Sequence, residues 1–292
     1  MVELKLDLKS FLKRLNTLTK KTWLSSSDMG EYSSVFRGSG KEFEGFSDYS
    51  PDQDSRNIDW TASAKSNKLM IRTHVDERNM DCIVVLDVSS NMFYTSTDKL
   101  KCEYAAEIAN ELLYASLATG NKVGALLSSS KKQTFVTPSN AKVQYARILE
   151  ELSNGDNYGG ERDILKSLGT LFKSKMKGVL FIISDLLNAK SEELEAIRIL
   201  SQKFQIYILL IRDQYEYELP KNVRSLVVES LANNKSIIID IPNIKDEYKA
   251  EMKLDLERLR KFFLQHDIHF TEFHTQFSYQ ETLSKLLRSN RV

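Results

Sequence analysis

Along residues 3–19, Leu4, Leu8, Phe11, Leu12, Leu15 and Leu18 recur at spacings of three and four, with Lys5, Lys9, Lys13 and Arg14 between them. That period predicts an amphipathic helix with a basic polar face. Such a face can dock on the protein's own core or lie on an anionic surface, so residues 1–20 carry an expectation of peripheral membrane contact. From Trp23 to Val75 the period fades into Ser, Gly, Asp and aromatic residues, and a strand is predicted over Leu69–Val75. Phe36, Phe43, Phe46, Tyr49, Ile58 and Trp60 are too dense for a solvated linker, because that much uncovered apolar surface invites association. The stretch reads as an ordered arm.

After Asp81 the pattern becomes regular. Apolar runs predict strands over Cys82–Leu86, Lys122–Ser128, Gly178–Ile183 and Gln205–Ile211, with an edge-like strand over Gln133–Val136. Between them fall helical periods over Lys99–Thr119, Ala141–Ser153, Arg162–Lys173 and Ser191–Lys203. Continuous Val/Ile/Leu runs are what strands buried on both faces look like, and their alternation with helices implies crossovers onto a mostly parallel sheet. A strand pair follows (Arg224–Val228 and Ser236–Ile241), then Pro242 as a break, a long helix (Lys245–Gln265), a strand (Ile268–Phe273) and a last helix (Tyr279–Arg288). The fold class is α/β: a doubly wound, mostly parallel sheet flanked by helices, Rossmann-type in its winding. The expected organisation is a helix over 1–22, an arm over 23–78 and the α/β domain over 79–292.

The composition supports a folded chain. Its 292 residues are 41% hydrophobic, with four prolines and eleven glycines, which is neither disordered nor collagen-like. Lys and Arg number 41 against 40 Asp and Glu, so no general field draws the chain to a nucleic acid. The longest apolar runs, Ile83–Leu86, Val179–Ile183 and Ile206–Ile211, fall far short of the roughly 20 residues that cross a bilayer. No signal-peptide pattern is present, and Cys82 and Cys102 lack CxxC spacing, so a cytoplasmic location is the expectation.

Candidate chemistry gathers where two strands end. In an open parallel sheet, ligands bind beyond the carboxyl ends of the strands, where the strand order reverses. One strand ends in Asp87-Val88-Ser89-Ser90-Asn91, the other in Ser184-Asp185. If the two are neighbours, Asp87 and Asp185 converge with the Ser89 hydroxyl close by, and two carboxylates that close share a proton or a cation. A hard divalent ion with oxygen ligands fits that demand. The alternative is that Asp87 caps its turn and Asp185 caps the following helix.

Asp87-x-Ser89-x-Asn91 resembles the metal-ion-dependent adhesion site of von Willebrand factor A domains, whose pattern is Asp-x-Ser-x-Ser with a distant Thr and a later Asp. A longer and more specific match lies in the arm. Glu42-Phe43-Glu44-Gly45-Phe46-Ser47-Asp48-Tyr49-Ser50-Pro51-Asp52-Gln53-Asp54-Ser55-Arg56-Asn57-Ile58-Asp59-Trp60, then Ser63-Ala64-Lys65, Leu69 and Glu77-Arg78, resembles the signature of the domain of unknown function 58 family. This resemblance covers about residues 30–290. It implies a von Willebrand A-like domain after the arm, no established catalytic activity, and joint action with a MoxR-type AAA+ ATPase in assembly, maturation or stress functions. It also implies a Mg²⁺ site at Asp87, Ser89, Asn91 and Asp185.

Two departures bear on that site. Asn91 replaces the second Ser, and its amide oxygen can still ligate. In Tyr158-Gly159-Gly160-Glu161-Arg162-Asp163, Arg162 takes the place of the Thr. A guanidinium cannot ligate a cation, but it can neutralise Asp87 or Asp185 through a bidentate pair. Two outcomes stay open: a weak Mg²⁺ site, or a metal-free site closed by Arg162. Tyr158, Glu161 and Arg162 are the expected partner-binding residues. In the arm, Asp54, Arg56, Asp59 and Arg72 are expected to pair around Ile58 and Trp60, which would form an apolar plug.

The main enzyme alternative makes Asp87 the nucleophile of a Mg²⁺-dependent phosphatase of haloacid-dehalogenase type. That chemistry wants a second Asp two residues on, where this chain has Ser89. His266, His269 and His274 read as surface or packing residues, because they have no Cys companion and face different ways. The sequence therefore points to a non-enzymatic interaction module.

Overall fold

The computed structural model describes residues 41–50, 58–66, 68–76, 80–220, 223–229 and 236–288. The helix expected over 1–22 lies outside the described residues. The arm contains β1 (Lys41–Asp48), α1 (Trp60–Ser66) and β2 (Met70–Asp76), and its two strands pair antiparallel with a register slip between Phe43 and Gly45. Only the second strand was expected.

The apolar plug is not what forms at Trp60. Asp59 is 8% exposed, and its Oδ1 accepts the backbone N–H groups of Thr61 and Ala62, both at 2.9 Å. That capping starts α1 immediately afterwards and turns Trp60, its first residue, out to 70% exposure. The buried side of this unit is Ile71, which bridges to Ile58 across the backbone. Asp54 and Arg56 lie outside the described residues, and Arg72 sits on β2 opposite Phe46.

Beyond Met80 the chain runs β3 (Asp81–Asp87), α2 (Lys101–Ala118), β4 (Lys122–Ser128), β5 (Gln133–Ser139), α3 (Lys142–Ser153), α4 (Ile164–Lys173), β6 (Gly178–Ser184), α5 (Ser191–Leu200) and β7 (Phe204–Arg212). A short antiparallel ribbon, β8 (Ser225–Glu229) with β9 (Ser236–Asp240), leads to α6 (Ile241–Gln265), β10 (His269–His274) and α7 (Tyr279–Arg288). Six strands form one sheet in the order β10-β7-β6-β3-β4-β5. All neighbours are parallel except β5, which pairs antiparallel with β4 at the margin and slips register near Val123.

This is the doubly wound arrangement the alternating pattern predicts. Winding proceeds outward from β3 through β4 to β5, then restarts at β6 on the other side. The order therefore reverses between β3 and β6. Both sheet faces are covered, which is why the central strands read as unbroken apolar runs. Val84, Leu86, Phe181, Ile183 and Tyr207 pack on one face with α2, α3 and α7. Ile83, Val85, Leu180, Ile182 and Ile208 pack on the other with α4, α5 and α6.

Pro242 differs from its expected role. It lies in the first turn of α6, where a missing N–H would have no intrahelical partner anyway, so the helix begins at Ile241 rather than Lys245.

Helix α2 also buries two carboxylates. Glu107 is held by Lys99 at 2.7 and 2.8 Å, and Glu111, 9% exposed, has its pKa raised from 4.5 to about 7 by burial and then by the charge of Glu107. An unfolded glutamate releases its proton near 4.5, whereas this one holds it to about 7, so stability falls as pH rises through that window and levels off above it. Urea unfolding at pH 5.5 and pH 8 should show this slope in the wild type. The variant Glu111→Gln should show a flatter slope and gain on the order of 2 kcal/mol at pH 8. An unchanged slope would mean that Glu111 is not the group responsible.

Candidate functional site

The reversal of strand order places the ends of β3 and β6 side by side, with Leu86 opposite Ile183. Asp87 and Asp185, both fully buried, sit at this switch point. Their loops follow from local hydrogen bonding. Asp87 Oδ1 accepts the Ser89 N–H at 2.9 Å, which folds the chain into a short 3₁₀ turn over Ser90–Phe93. The glycine loop then locks onto it: the Gly159 N–H donates to the Val88 carbonyl at 2.7 Å and the Ser90 N–H to the Gly160 carbonyl at 2.8 Å. The loop after β4 joins through the Ser130 N–H, 2.8 Å from the Glu161 carbonyl. Gly160 has a φ of +81°, and a Cβ there would lie 2.8 Å from the Lys131 nitrogen, so only glycine lets three loops knit this closely.

Beneath the knitted loops lies a closed charge cluster. Asp185 Oδ2 accepts from Lys101 Nζ at 2.9 Å, and its Oδ1 accepts the Leu187 N–H at 3.2 Å and lies 3.5 Å from Arg162 Nη1. Arg162 turns its fork elsewhere: Nε and Nη2 donate to the two oxygens of Glu193, each at 3.1 Å, and Nη1 donates to the Leu187 carbonyl at 2.8 Å. Lys101 also reaches Glu216 Oε1 at 2.5 Å. The second oxygen of Asp87 accepts the Ser184 hydroxyl at 2.6 Å. Ser89 Oγ is buried and has no hydrogen-bond partner.

Electrostatics follow the pairing. Burial pushes the Asp87 carboxyl up, reinforced by the charge of Asp185 and opposed by the hydrogen bonds from the Ser184 hydroxyl and the Ser89 backbone N–H. Burial acts the same way on Asp185, but Lys101, Arg212 and Arg162 outweigh it and hold its carboxyl below the ordinary range. On Lys101, burial works against the charged form and the two carboxylates overcome it, so the ammonium is held above its usual value.

The donor set does not suit Mg²⁺. A hard divalent ion needs several oxygens at 2.0–2.1 Å. Here both Asp87 oxygens are engaged by hydrogen bonds, Asp185 is engaged by an ammonium and an N–H, and Asn91 is exposed on the 3₁₀ turn. Among the described residues, no three His, Cys, Asp or Glu side chains are grouped to hold an ion.

The residues expected to meet a partner separate. Glu161 is exposed. Arg162 has a side chain 10% exposed and is committed to Glu193 and Asp185. Tyr158 is a core residue, 5% exposed, whose hydroxyl donates to the Leu152 carbonyl at 2.7 Å, so it is not on the rim. An aromatic ring beside two glycines is pulled under the loop because its apolar face packs and its hydroxyl still finds a partner.

Lys101, Glu193 and Glu216 escape a reading of the sequence. One signal existed for Lys101: a lysine opening an apolar helix sits at the positive end of the helix dipole, where a cation is disfavoured unless carboxylates hold it. His266, His269 and His274 each lie against an aromatic ring, the first and last half-buried and His269 exposed. His269 stacks on Tyr207 at 4.5 Å, His266 meets the edge of Phe262 at 4.6 Å and His274 lies 5.3 Å from Tyr217. Cys82 is a buried strand residue whose thiol is pushed up to about 12 by burial.

A doubly wound sheet with Asp-x-Ser at the end of its first strand and a second aspartate across the switch point defines an α/β domain of the von Willebrand factor A kind. A family model described as "Protein of unknown function DUF58" matches residues 46–257, and the chain belongs to that family. It is 22% identical over 236 residues to uncharacterized proteins of Mycobacterium tuberculosis and Mycobacterium bovis, an alignment covering 79% of this chain and 74% of theirs. Among solved structures it is similar to the conserved hypothetical protein BatB of Bacteroides thetaiotaomicron, with 13% identity and a TM-score of 0.47 over 73% of this chain and 98% of that one. An aerotolerance-related membrane protein of Bacteroides fragilis gives 12% identity and a TM-score of 0.45 over 72% of this chain and 100% of that one.

Proposed function

We propose that this protein is a non-enzymatic interaction module that works with a MoxR-type AAA+ ATPase in assembly, maturation or stress response, with the rim of the sheet top as its docking face. The observation that carries the reading is the contrast between rim and interior. Below, Lys101, Arg162, Asp185, Glu193 and Glu216 are tied to one another, whereas the loops above are pinned by backbone hydrogen bonds and expose Asn91, Glu161 and Lys131. A surface fixed before binding loses little conformational freedom on docking. Asp87 is buried with both oxygens engaged, which argues against its use as a phosphatase nucleophile. In this reading Mg²⁺ is not required, and Arg162 supports the rim from beneath.

The test uses purified protein and the ATPase of the same organism. The double substitution Asn91→Arg with Glu161→Arg should weaken capture at least about tenfold, a change of about 1.4 kcal/mol, while the melting temperature stays the same. Full-strength capture by this variant would remove the rim from the mechanism.

A cytoplasmic setting belongs to the same proposal and accords with two cysteines buried as free thiols. Among the described residues, no helix is long and apolar enough to cross a membrane. Peripheral contact is proposed for residues 1–20 on the strength of their basic face. It predicts salt-sensitive sedimentation with anionic vesicles that disappears when those residues are deleted; sedimentation that survives the deletion would locate the contact elsewhere.

A further inference from the structure

We propose that the ammonium group of Lys101 stands permanently in place of a divalent cation at the sheet top, holding the Asp185 and Glu216 carboxylates together and leaving Mg²⁺ no seat. The inference concerns the interior of the cluster and does not depend on the rim being a docking face.

Position and burial carry it. Lys101 is the first residue of α2, yet its side chain is 1% exposed and runs inward to two carboxylates from different parts of the chain. Nζ lies 2.9 Å from Asp185 and 2.5 Å from Glu216, with the Tyr94 ring 5.9 Å away. A lysine at a helix N-terminus opposes the dipole, and an ammonium this deep is tolerable only with compensating anions. Both needs are met by the pair of carboxylates, and the pair in turn needs a cation to remain close.

The seat on Asp185 is already taken. Its Oδ2 accepts from Lys101, which also meets Glu216, and its other oxygen lies 3.5 Å from Arg162, itself paired with Glu193. An ion on Asp185 Oδ2 would lie against Nζ, where like charges repel at short range in a medium of low dielectric. What remains of the motif is Asp87, whose two oxygens already accept from the Ser89 N–H and the Ser184 hydroxyl, and the buried Ser89 hydroxyl, a set too small to hold Mg²⁺. Lys101 rather than Arg162 is the replacement, because it is the nearer cation to Asp185 and alone joins that residue to Glu216.

The experiment is calorimetric titration of MnCl₂ and MgCl₂ into the full chain and into Lys101→Ala and Arg162→Thr, with melting temperatures recorded in chelator and in millimolar Mn²⁺. The wild type should give no saturable heat and no shift in melting temperature. Lys101→Ala should melt lower in chelator and regain part of the loss in Mn²⁺, and Arg162→Thr should gain nothing from the metal. If Lys101→Ala does not fold in chelator, recovery on refolding with Mn²⁺ supports the proposal and failure to recover overturns it. Saturable Mn²⁺ binding by the wild type, a gain by Arg162→Thr, or a folded Lys101→Ala indifferent to Mn²⁺ would each overturn it as well. A loss of ATPase capture would leave these readouts untouched, so the two proposals fail separately.

Discussion

Replacing Asp185 by alanine is expected to destabilise the protein by about 3–5 kcal/mol, the cost of removing one partner from a buried ion pair. Its carboxylate is 1% exposed and meets Lys101 at 2.9 Å, Arg162 at 3.5 Å and the Leu187 N–H at 3.2 Å. Without it, Lys101 keeps only Glu216, and the fork of Arg162 keeps only Glu193 and the Leu187 carbonyl. Asp185→Asn keeps an acceptor for the Leu187 N–H and should lose less. Urea unfolding of both variants at neutral pH measures the difference. A loss under about 1 kcal/mol for Asp185→Ala would show that Asp185 does not bind the cluster together.

Gly178→Ala should be comparably damaging for a reason unrelated to charge. Gly178 opens β6 with a φ of +135°, and a Cβ there would lie 2.3 Å from the carbonyl oxygen of Asp81. Neither the backbone angle nor the contact can relax without parting the first pair of the β3–β6 ladder. A loss of about 3 kcal/mol is expected, and a fall in melting temperature on the order of 5–10 °C. Gly169→Ala is the control: it lies within α4 with nothing within 4 Å of its added methyl, and should be neutral or slightly stabilising. If both substitutions behaved alike, the close approach at Gly178 would not be a constraint on the sheet.

Much of the architecture was legible because burial on both faces writes itself into composition. Val84, Val85 and Leu86, or Phe181, Ile182 and Ile183, must all be apolar when consecutive residues point into opposite cores. The meeting of Asp87 and Asp185 is conditional, in the sequence, on their strands being neighbours; the apolar runs do not fix that adjacency, and the strand order supplies it. The arm was harder. β1 reads Lys-Glu-Phe-Glu-Gly-Phe-Ser-Asp, a mixture without clean alternation, and α1 has seven residues, too few to show a helical period. Trp60 and Tyr158 were misjudged in opposite directions, because capping turned one ring out while a satisfied hydroxyl let the other go in. The partnership of Lys101 with Glu216 spans 115 positions and leaves no periodic trace. Charge pairs at that separation are written in the fold.

The margin of the sheet has a consequence for life in a crowded solution. β5 lies antiparallel at the end of the order, contains Pro138 and slips register against β4 near Val123. Proline has no amide hydrogen to offer, and a slipped ladder twists away from a straight template. An extended segment of another molecule approaching this side would meet a row that it cannot zip onto, so β5 works as a selvedge that keeps the weave from being continued by strangers.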